Sequence, residues 1–204
     1  MNINHNFQNV ADSYLFSTIA KKVAEYQQEN PKADIIRLGI GDVTMPLVPA
    51  VIEALHGAVD EMGKKETFHG YGPEQGYGFL KEALKGYYAQ RGIELDGDEI
   101  FVSDGAKSDV GNILNLFSQD NTVLVPDPVY PVYVDTNIMD GRKILYMNAN
   151  ADNGFLPLPD PAVKADLIYL CSPNNPTGNG LTPKELDELL AEVPSQTVVL
   201  IDEA

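Results

Sequence analysis

The sequence has few basic residues, a single cysteine and no tryptophan. It has 14 lysines and arginines against 30 aspartates and glutamates, which gives a net charge of −16 over 204 residues. Such a chain lacks the basic surface that nucleic acids and anionic membranes require, so we expect neither as a partner. The lone Cys171 excludes an internal disulfide framework and is typical of a reducing compartment. Because it lies in an apolar run, we expect a small buried side chain there and no nucleophile.

Long apolar runs are also absent. No stretch approaches the roughly 18 residues that a membrane-spanning helix needs. Residues 1–6 lack the basic start and the apolar stretch of a signal peptide. Hydrophobic residues nevertheless make up 44% of the chain, which suffices for an ordinary core and argues against disorder. The sequence therefore predicts a globular protein of the cytoplasm.

An alternation of strand and helix patterns runs along the chain. Helical spacing of apolar residues predicts helices over residues 15–29, 51–62, 78–90, 107–117, 130–139 and 183–191. Short apolar runs predict strands over residues 35–40, 100–102, 122–125, 144–147, 167–171 and 197–201. Apolar strands that alternate with helices are typical of the α/β class, a mostly parallel sheet with helices on both faces. In such sheets ligands bind just beyond the carboxyl ends of the strands.

The first informative strand end is the segment 103–109 (SDGAKSD), which joins a predicted strand to a predicted helix. Gly105 permits a tight turn there, and the free N–H groups at the start of the helix could hold a phosphate. A plain turn capped by Ser108 or Asp109 is the alternative reading. The sequence of this segment alone distinguishes only weakly between a phosphate-binding turn and a plain capped turn.

Three further strand ends carry distinctive residues. The prolines of the segment 126–131 fix its backbone, so Tyr130 could form a rigid wall against a flat ring or simply pack in a loop. The segment 172–179 (SPNNPTGN) is a constrained loop in which the Asn175–Pro176 bond is a candidate cis peptide. At the end of the last predicted strand, the Asp202 carboxylate could pair with a protonated ring nitrogen.

As a set, these residues carry a specific pattern. Asn-Pro-x-Gly (175–178) after one strand and Asp-Glu-Ala (202–204) after another resemble the fold-type-I aminotransferases of the aspartate aminotransferase superfamily, which depend on pyridoxal phosphate. The dinucleotide-binding glycine fingerprint is absent, because the spacing in 70–76 (GYGPEQG) is wrong for it. Within the family the chain is most similar to the LL-diaminopimelate aminotransferase branch, over the segments 14–16, 37–44, 71–76 and 103–107. The resemblance covers nearly the whole chain.

The resemblance implies a cofactor-binding role for five matched residues. The backbones of Ala106 and Lys107 would contact the phosphate of pyridoxal phosphate. Tyr130 would stack on the pyridine ring, and Asn175 would bond the 3-oxygen of the ring; both would also touch substrate. Asp202 would keep the ring nitrogen protonated.

The resemblance also implies a substrate pocket that is shared across a homodimer. Tyr14 and Gly41 would line the pocket, and the Lys107 side chain would face the substrate. Tyr71 would reach the phosphate across the dimer interface, and Glu74 of the partner subunit would receive the distal ammonium of diaminopimelate. An acidic side chain suits that ammonium, since a neutral pocket would leave a buried charge unpaired. A solvated loop carboxylate is the alternative reading of Glu74.

The resemblance predicts how the chain relates to a whole enzyme. Residues 1–45 would form an N-terminal arm and part of a small domain, and residues 46–204 the first part of the cofactor-binding large domain. The Schiff-base lysine of the family has no match within the 204 residues, and Lys107 matches the phosphate end of the site. We therefore expect an N-terminal fragment that holds no catalytic residue and is inactive by itself. No metal is expected.

Three functions are compatible with these residues. The first is transamination between LL-diaminopimelate and 2-oxoglutarate, giving tetrahydrodipicolinate and glutamate in lysine biosynthesis. The second is another aminotransferase of the same fold, acting on aromatic, alanine or aspartate substrates. The third is a non-catalytic, effector-binding module of the kind found behind DNA-binding domains, for which the net charge of −16 is unfavourable.

Overall fold

The structure is a computed structural model, which describes residues 1–10, 15–38, 43–160 and 162–203. The chain divides into two compact units. The helical unit is Asp12–Val102, and the sheet unit combines Met1–Ala11 with Ser103–Ala204. The domain boundary predicted after residue 45 concerns the complete protein and stays a prediction.

The helical unit contains the three helices that the apolar spacing predicts. They are α1 (Leu15–Glu29), α2 (Pro49–Met62) and α3 (Gly78–Ala89), followed by a 3₁₀ turn at Gly97–Glu99. Pro49 occupies the first turn of α2, where a missing N–H costs nothing because that group has no partner within the helix. None of the described helices in either unit has the length and hydropathy that crossing a bilayer requires.

The two strand predictions in the helical unit are wrong for the residues that the structure describes. Residues 35–38 and 100–102 have no strand partner among the described residues of this unit, and residues 39–40 lie outside them. An apolar run becomes a strand only when a neighbour completes its backbone ladder. Val102 makes one such bond, from its N–H to the carbonyl of Gln75 at 3.1 Å. The contact requires Gly76, whose φ is +103° and whose added Cβ would lie 2.7 Å from the Val102 side chain.

The sheet unit follows the predicted alternation closely. In chain order its regular elements are α4 (Ala106–Asn112), β1 (Thr122–Asp127), α5 (Pro131–Asp140), β2 (Lys143–Asn148), β3 (Leu167–Cys171), α6 (Pro183–Glu192) and β4 (Val198–Asp202). Further 3₁₀ turns lie at His5–Asn9, Ile113–Leu116 and Ala151–Asn153. The helix predicted over 107–117 is therefore divided into α4 and a 3₁₀ turn.

All four strands are parallel and lie in the order β2-β1-β3-β4. The two central strands are almost fully buried, whereas the outer strands β2 and β4 are partly exposed. This explains the sequence pattern, because a parallel strand that is covered on both faces has to be apolar at nearly every position. The predicted α/β class is confirmed.

Helices cover the two faces of the sheet with separate apolar clusters. On one face Val123 and Val125 of β1 pack with Tyr133 of α5 and Leu114. On the other face Leu124 packs with a cluster that includes Leu189 of α6. Each fully buried side chain of this size stabilises the fold by roughly 1.5–3 kcal/mol. The packing holds α4 and α5 on one side of the sheet and α6 on the other, and so fixes where the loops beyond the strands lie.

Candidate functional site

Because the strands are parallel, their carboxyl ends meet at one edge of the sheet. β1 ends at Asp127, β3 at Cys171 and β4 at Asp202. The loop after β3 is tied to this edge by the N–H of Ser172, which donates to the backbone carbonyl of Asp202 at 3.0 Å. Three of the strand ends that the sequence singles out therefore lie together.

The side chain of Asp202 is held by a tyrosine of α5. The hydroxyl of Tyr133 donates a hydrogen bond to Oδ2 of Asp202 at 2.6 Å, across 69 residues of sequence. Tyr133 is fully buried, and Asp202 is partly buried. Pro131 begins α5 two residues before Tyr133, so the helix presents this side chain from its first turn.

Tyr133 is the centre of a group of three tyrosine rings. It stacks on Tyr169 of β3 with ring centroids 4.9 Å apart and an interplanar angle of 13°. The ring of Tyr130 meets it edge-on, at 5.8 Å and 88°. Burial, and then the hydrogen bond to Asp202, raise the pKa of Tyr133 far above its ordinary value. At neutral pH the hydroxyl is therefore protonated and acts as a hydrogen-bond donor.

The raised tyrosine pKa values predict a loss of stability in alkali. Burial also raises the pKa of Tyr169, so above about pH 10 the unfolded chain releases protons that the folded chain keeps. Both contributions are fully present below that pH and are lost as the pH rises further; Tyr133, whose pKa is raised far above its ordinary value, accounts for a loss of about 1.4 kcal/mol per pH unit. Tyr133→Phe should remove one of the two contributions. Urea unfolding between pH 9 and 11 measures the slope, and an unchanged slope in the variant would contradict the assignment.

The loop after β3 is a compact turn that contacts the end of β1. Nδ2 of Asn174 donates to the carbonyl of Pro128 at 3.2 Å and to Oγ1 of Thr177 at 2.9 Å. Its neighbour Asn175, the residue predicted to contact the cofactor, is exposed, and the Asn175–Pro176 peptide is cis, as the sequence suggested. Asn174 thus anchors the loop against the residue that follows β1.

The start of α4 has the geometry expected of an anion-binding turn. Gly105 has a φ of +135° and, as a glycine, offers no side chain to cap the first turn. The N–H of Gly105 donates to Oγ of Ser103 at 3.2 Å, and the hydroxyl of Ser103 donates to Oδ2 of Asp109 at 2.6 Å, so Asp109 contacts the turn through Ser103. Ala106 and Lys107 are exposed at a helix start, where backbone N–H groups have no partners within the helix.

A cavity of about 370 Å³ joins α4 to the end of β4. Ala106 and Asp109 lie on its α4 side, and Tyr169 and Asp202 lie on the side of the sheet. The volume falls within the range of roughly 300–1,000 Å³ that small-molecule pockets occupy. A carboxylate at one wall and a helix start at another can bind a molecule that carries a cationic ring and an anionic group.

Some of the predicted residues lie together in the sheet unit, and others belong to the helical unit or lie outside the described residues. Ala106 and Asp202 line the same cavity. Tyr130 contacts the ring of Tyr133, whose hydroxyl in turn bonds Asp202. Tyr71 and Glu74 belong to the helical unit, where both are exposed. Two residues predicted to line the substrate pocket, Tyr14 and Gly41, lie outside the described residues.

Sequence reasoning missed Tyr133 and Asn174. Each lies beside a residue that was predicted, three positions after Tyr130 and one position before Asn175. Tyr133 follows Tyr130 by about one helical turn, a spacing that could have indicated that both side chains face the same strand ends. Among the described residues, no group of three or more His, Cys, Asp or Glu side chains is arranged to hold a metal ion.

Comparisons with known proteins identify the family of this chain. The family model described as aminotransferase class I and II matches residues 33–204. The LL-diaminopimelate aminotransferase of Agathobacter rectalis is 57% identical over 197 residues, covering 90% of this chain and 48% of that protein. The LL-diaminopimelate aminotransferase of Lachnospira eligens is 54% identical over an aligned length of 215, covering 99% of this chain and 53% of that protein. The chain spans about half the length of the curated relatives it matches.

Solved structures show the same partial coverage. The L,L-diaminopimelate aminotransferase from Chlamydomonas reinhardtii superposes with a TM-score of 0.85 at 39% identity, covering 98% of this chain and 52% of that one. The aspartate aminotransferase from Thermus thermophilus with maleate superposes with a TM-score of 0.81 at 22% identity, covering 100% of this chain and 53% of that one. At that lower identity the likeness concerns the fold alone.

Proposed function

This chain belongs to the aminotransferase class I and II family, and on that premise we propose that the complete protein transfers an amino group from LL-2,6-diaminopimelate to 2-oxoglutarate. The products would be tetrahydrodipicolinate and glutamate, as in lysine biosynthesis. The observation that carries the proposal is the cavity that joins the Asp202 carboxylate to the start of α4. The names of the curated relatives support diaminopimelate as the amino donor.

Pyridoxal phosphate is the cofactor of this family, and two residues of the cavity, Ala106 and Asp202, fit its phosphate and its ring nitrogen. The N–H groups of Ala106 and Lys107 would hold its phosphate at the start of α4. Tyr130 would lie against its ring and Asn175 would bond its 3-oxygen. When bound, the cofactor supplies an electron-withdrawing ring that accepts the electrons left when the Cα–H bond of the amino acid breaks.

Asp202 would keep the nitrogen of that ring protonated. An ionised carboxylate favours a proton on a neighbouring nitrogen, and this preference is stronger where protein replaces water. Tyr133 and the backbone contact with Ser172 hold Asp202 at the cavity wall. On this assignment the described residues would supply cofactor binding and charge stabilisation.

The part of the proposal that concerns substrate binding involves residues that are not among those lining the cavity. We infer that Tyr14, Gly41 and the side chain of Lys107 line the pocket of the complete protein. Tyr71 and Glu74 would enter it from the partner subunit of a homodimer, which agrees with their exposure in a single chain. A cytoplasmic location is part of the same proposal, as is the division into an N-terminal arm with part of the small domain (residues 1–45) and the first part of the large domain (residues 46–204).

Glu74→Gln in the complete protein tests the choice of substrate. Diaminopimelate carries an ammonium and a carboxylate at its far end, and a neutral amide would leave that ammonium without its counter-charge. Loss of such a buried pair should lower kcat/KM for LL-diaminopimelate by on the order of a hundredfold. The measurement is steady-state kinetics with LL-diaminopimelate and 2-oxoglutarate.

The matched control for this test is Glu66→Gln, which makes the same change at an exposed position of the helical unit. Its kcat/KM should equal that of the unsubstituted protein. If Glu74→Gln leaves the rate with diaminopimelate unchanged, the assignment of this donor is wrong. Turnover of aromatic amino acids, alanine or aspartate would then identify the amino donor.

A further inference from the structure

Tyr133 lies outside the set of residues that the proposed chemistry uses, yet it makes the side-chain contact that defines the site. Its hydroxyl is 2.6 Å from Oδ2 of Asp202. At this length the bond belongs to the short, strong class in which a hydroxyl donates to an ionised carboxylate. A contact of that kind determines which way the carboxylate faces.

The two partners differ in how firmly the fold holds them. Tyr133 has no exposed surface, stacks on Tyr169 and packs in the apolar cluster beneath α5. Asp202 is the last residue of β4 and is partly buried. A fully buried donor in the core thus contacts an acceptor at the carboxyl end of a strand.

We propose that Tyr133 is a positioning residue, whose hydroxyl fixes the rotation of the Asp202 carboxylate so that it faces the nitrogen of a bound cationic ring. The inference rests on the proposed function, because it names the partner that orients the carboxylate of that same site. The hydroxyl can serve throughout the working pH range, since burial keeps it protonated. The ring stack on Tyr169 prevents the hydroxyl from following Asp202 if the carboxylate turns away.

A double-mutant cycle on cofactor binding tests this inference in the complete protein. The variants are Tyr133→Phe, Asp202→Asn and the two combined. Apoprotein is titrated with pyridoxal phosphate to obtain Kd, and the absorbance of the bound cofactor is then titrated with pH. Tyr133→Phe should weaken binding by about tenfold or more, the value of a hydrogen bond to a charged group. It should also move the absorbance midpoint by about half a pH unit or more.

The decisive result is the lack of additivity. In the Asp202→Asn background, Tyr133→Phe should change Kd by less than about twofold, because the hydroxyl acts only through that carboxylate. Tyr146→Phe is the control, since it removes a hydroxyl from a half-exposed position of β2. Its Kd and absorbance midpoint should match those of the unsubstituted protein.

The outcomes separate this inference from the proposed function. Full additivity in the cycle, or an absorbance midpoint that Tyr133→Phe leaves in place, overturns the positioning role. If Asp202→Asn leaves cofactor binding unchanged, the cofactor site itself is misassigned and both proposals fail. Coupling between the two residues in a protein that transaminates no amino acid would uphold the positioning role and refute the function.

If Tyr133→Phe does not fold, 3-fluorotyrosine at position 133 keeps the ring packing and makes the hydroxyl a more acidic donor. The absorbance midpoint should then move in proportion to the strengthened bond, and it should stay in place when Asp202 is asparagine. An unmoved midpoint in the Asp202 protein overturns the inference.

Discussion

Asp202→Asn should lower kcat/KM of the complete protein by on the order of 10²-fold to 10³-fold, the effect of removing one preorganised electrostatic contact from an active site. An asparagine amide has nearly the same shape as the aspartate side chain but carries no charge. It can accept the hydrogen bond from Tyr133, so the core around α5 should remain packed. It cannot hold a proton on a neighbouring ring nitrogen, and that loss should appear chiefly in kcat.

The control for this change is Asp120→Asn, the same substitution on an exposed residue just before the amino end of β1. Because the cavity lies at the carboxyl ends of the strands, the control should retain full activity and the same melting temperature. Steady-state kinetics and thermal unfolding of both variants give the comparison. A loss of less than tenfold in Asp202→Asn would exclude the proposed role of Asp202.

Arg142→Met should lower the free energy of unfolding by about 3–5 kcal/mol, the cost of breaking a buried, hydrogen-bonded ionic group. Arg142 is only 6% exposed, and its guanidinium lies at the end of α5 against the 3₁₀ turn Ile113–Leu116. Nη2 donates to the carbonyls of Leu114 and Phe117, both at 2.9 Å, and Nε donates to that of Ser118 at 3.2 Å.

The remaining nitrogen of Arg142 explains why the guanidinium is tolerated in the interior. Nη1 pairs with Oδ2 of Asp140 at 2.5 Å, so the buried charge has an opposite charge beside it. A methionine side chain would fill most of the space, but the carbonyl of Phe117 would lose its donor, and those of Leu114 and Ser118 would keep only the N–H groups of Phe117 and Asn121. Each unsatisfied carbonyl costs about 1–3 kcal/mol when water cannot reach it.

Urea unfolding of Arg142→Met measures this effect, with Arg91→Met as the control. Arg91 is exposed; it donates to the carbonyl of Tyr87 at 2.9 Å and lies 3.7 Å over the ring of that residue. Its loss should cost at most about 1 kcal/mol, because exposed contacts of this kind are weak. Equal destabilisation by the two variants would show that Arg142 is not a structural anchor.

Local pattern was sufficient for most of the sheet unit. The buried strands β1 and β3 are continuous apolar runs, and α5 begins at the proline and ends at Gly141 in the left-handed region, as such residues favour. The strand ends with informative residues, including Asp202, followed from the same reading. These features depend on chain neighbours a few residues apart, and a sequence displays such neighbours directly.

Predictions from the sequence pattern failed where a strand forms only with a partner segment that is distant in the chain. The largely apolar segments 35–38 and 100–102 are predicted as strands. Among the described residues of the helical unit, however, no strand pairs with them. The order β2-β1-β3-β4 places a later strand beside β1 on each side, which apolar runs alone do not specify. Strand pairing depends on contacts between segments that are far apart in the chain. The periodicity of apolar residues therefore does not indicate which strands pair.

The candidate site divides in the same way. The sequence by itself determined the α/β class, the resemblance to aminotransferases, and the positions of Asn175 after one strand and Asp202 at the end of another. Only the tertiary structure decided that Tyr133 holds Asp202 and that Asp202 shares a cavity with Ala106 at the start of α4. The physical reason is that composition and spacing specify what each segment can form, whereas packing across the sheet specifies which side chains meet, here 69 residues apart.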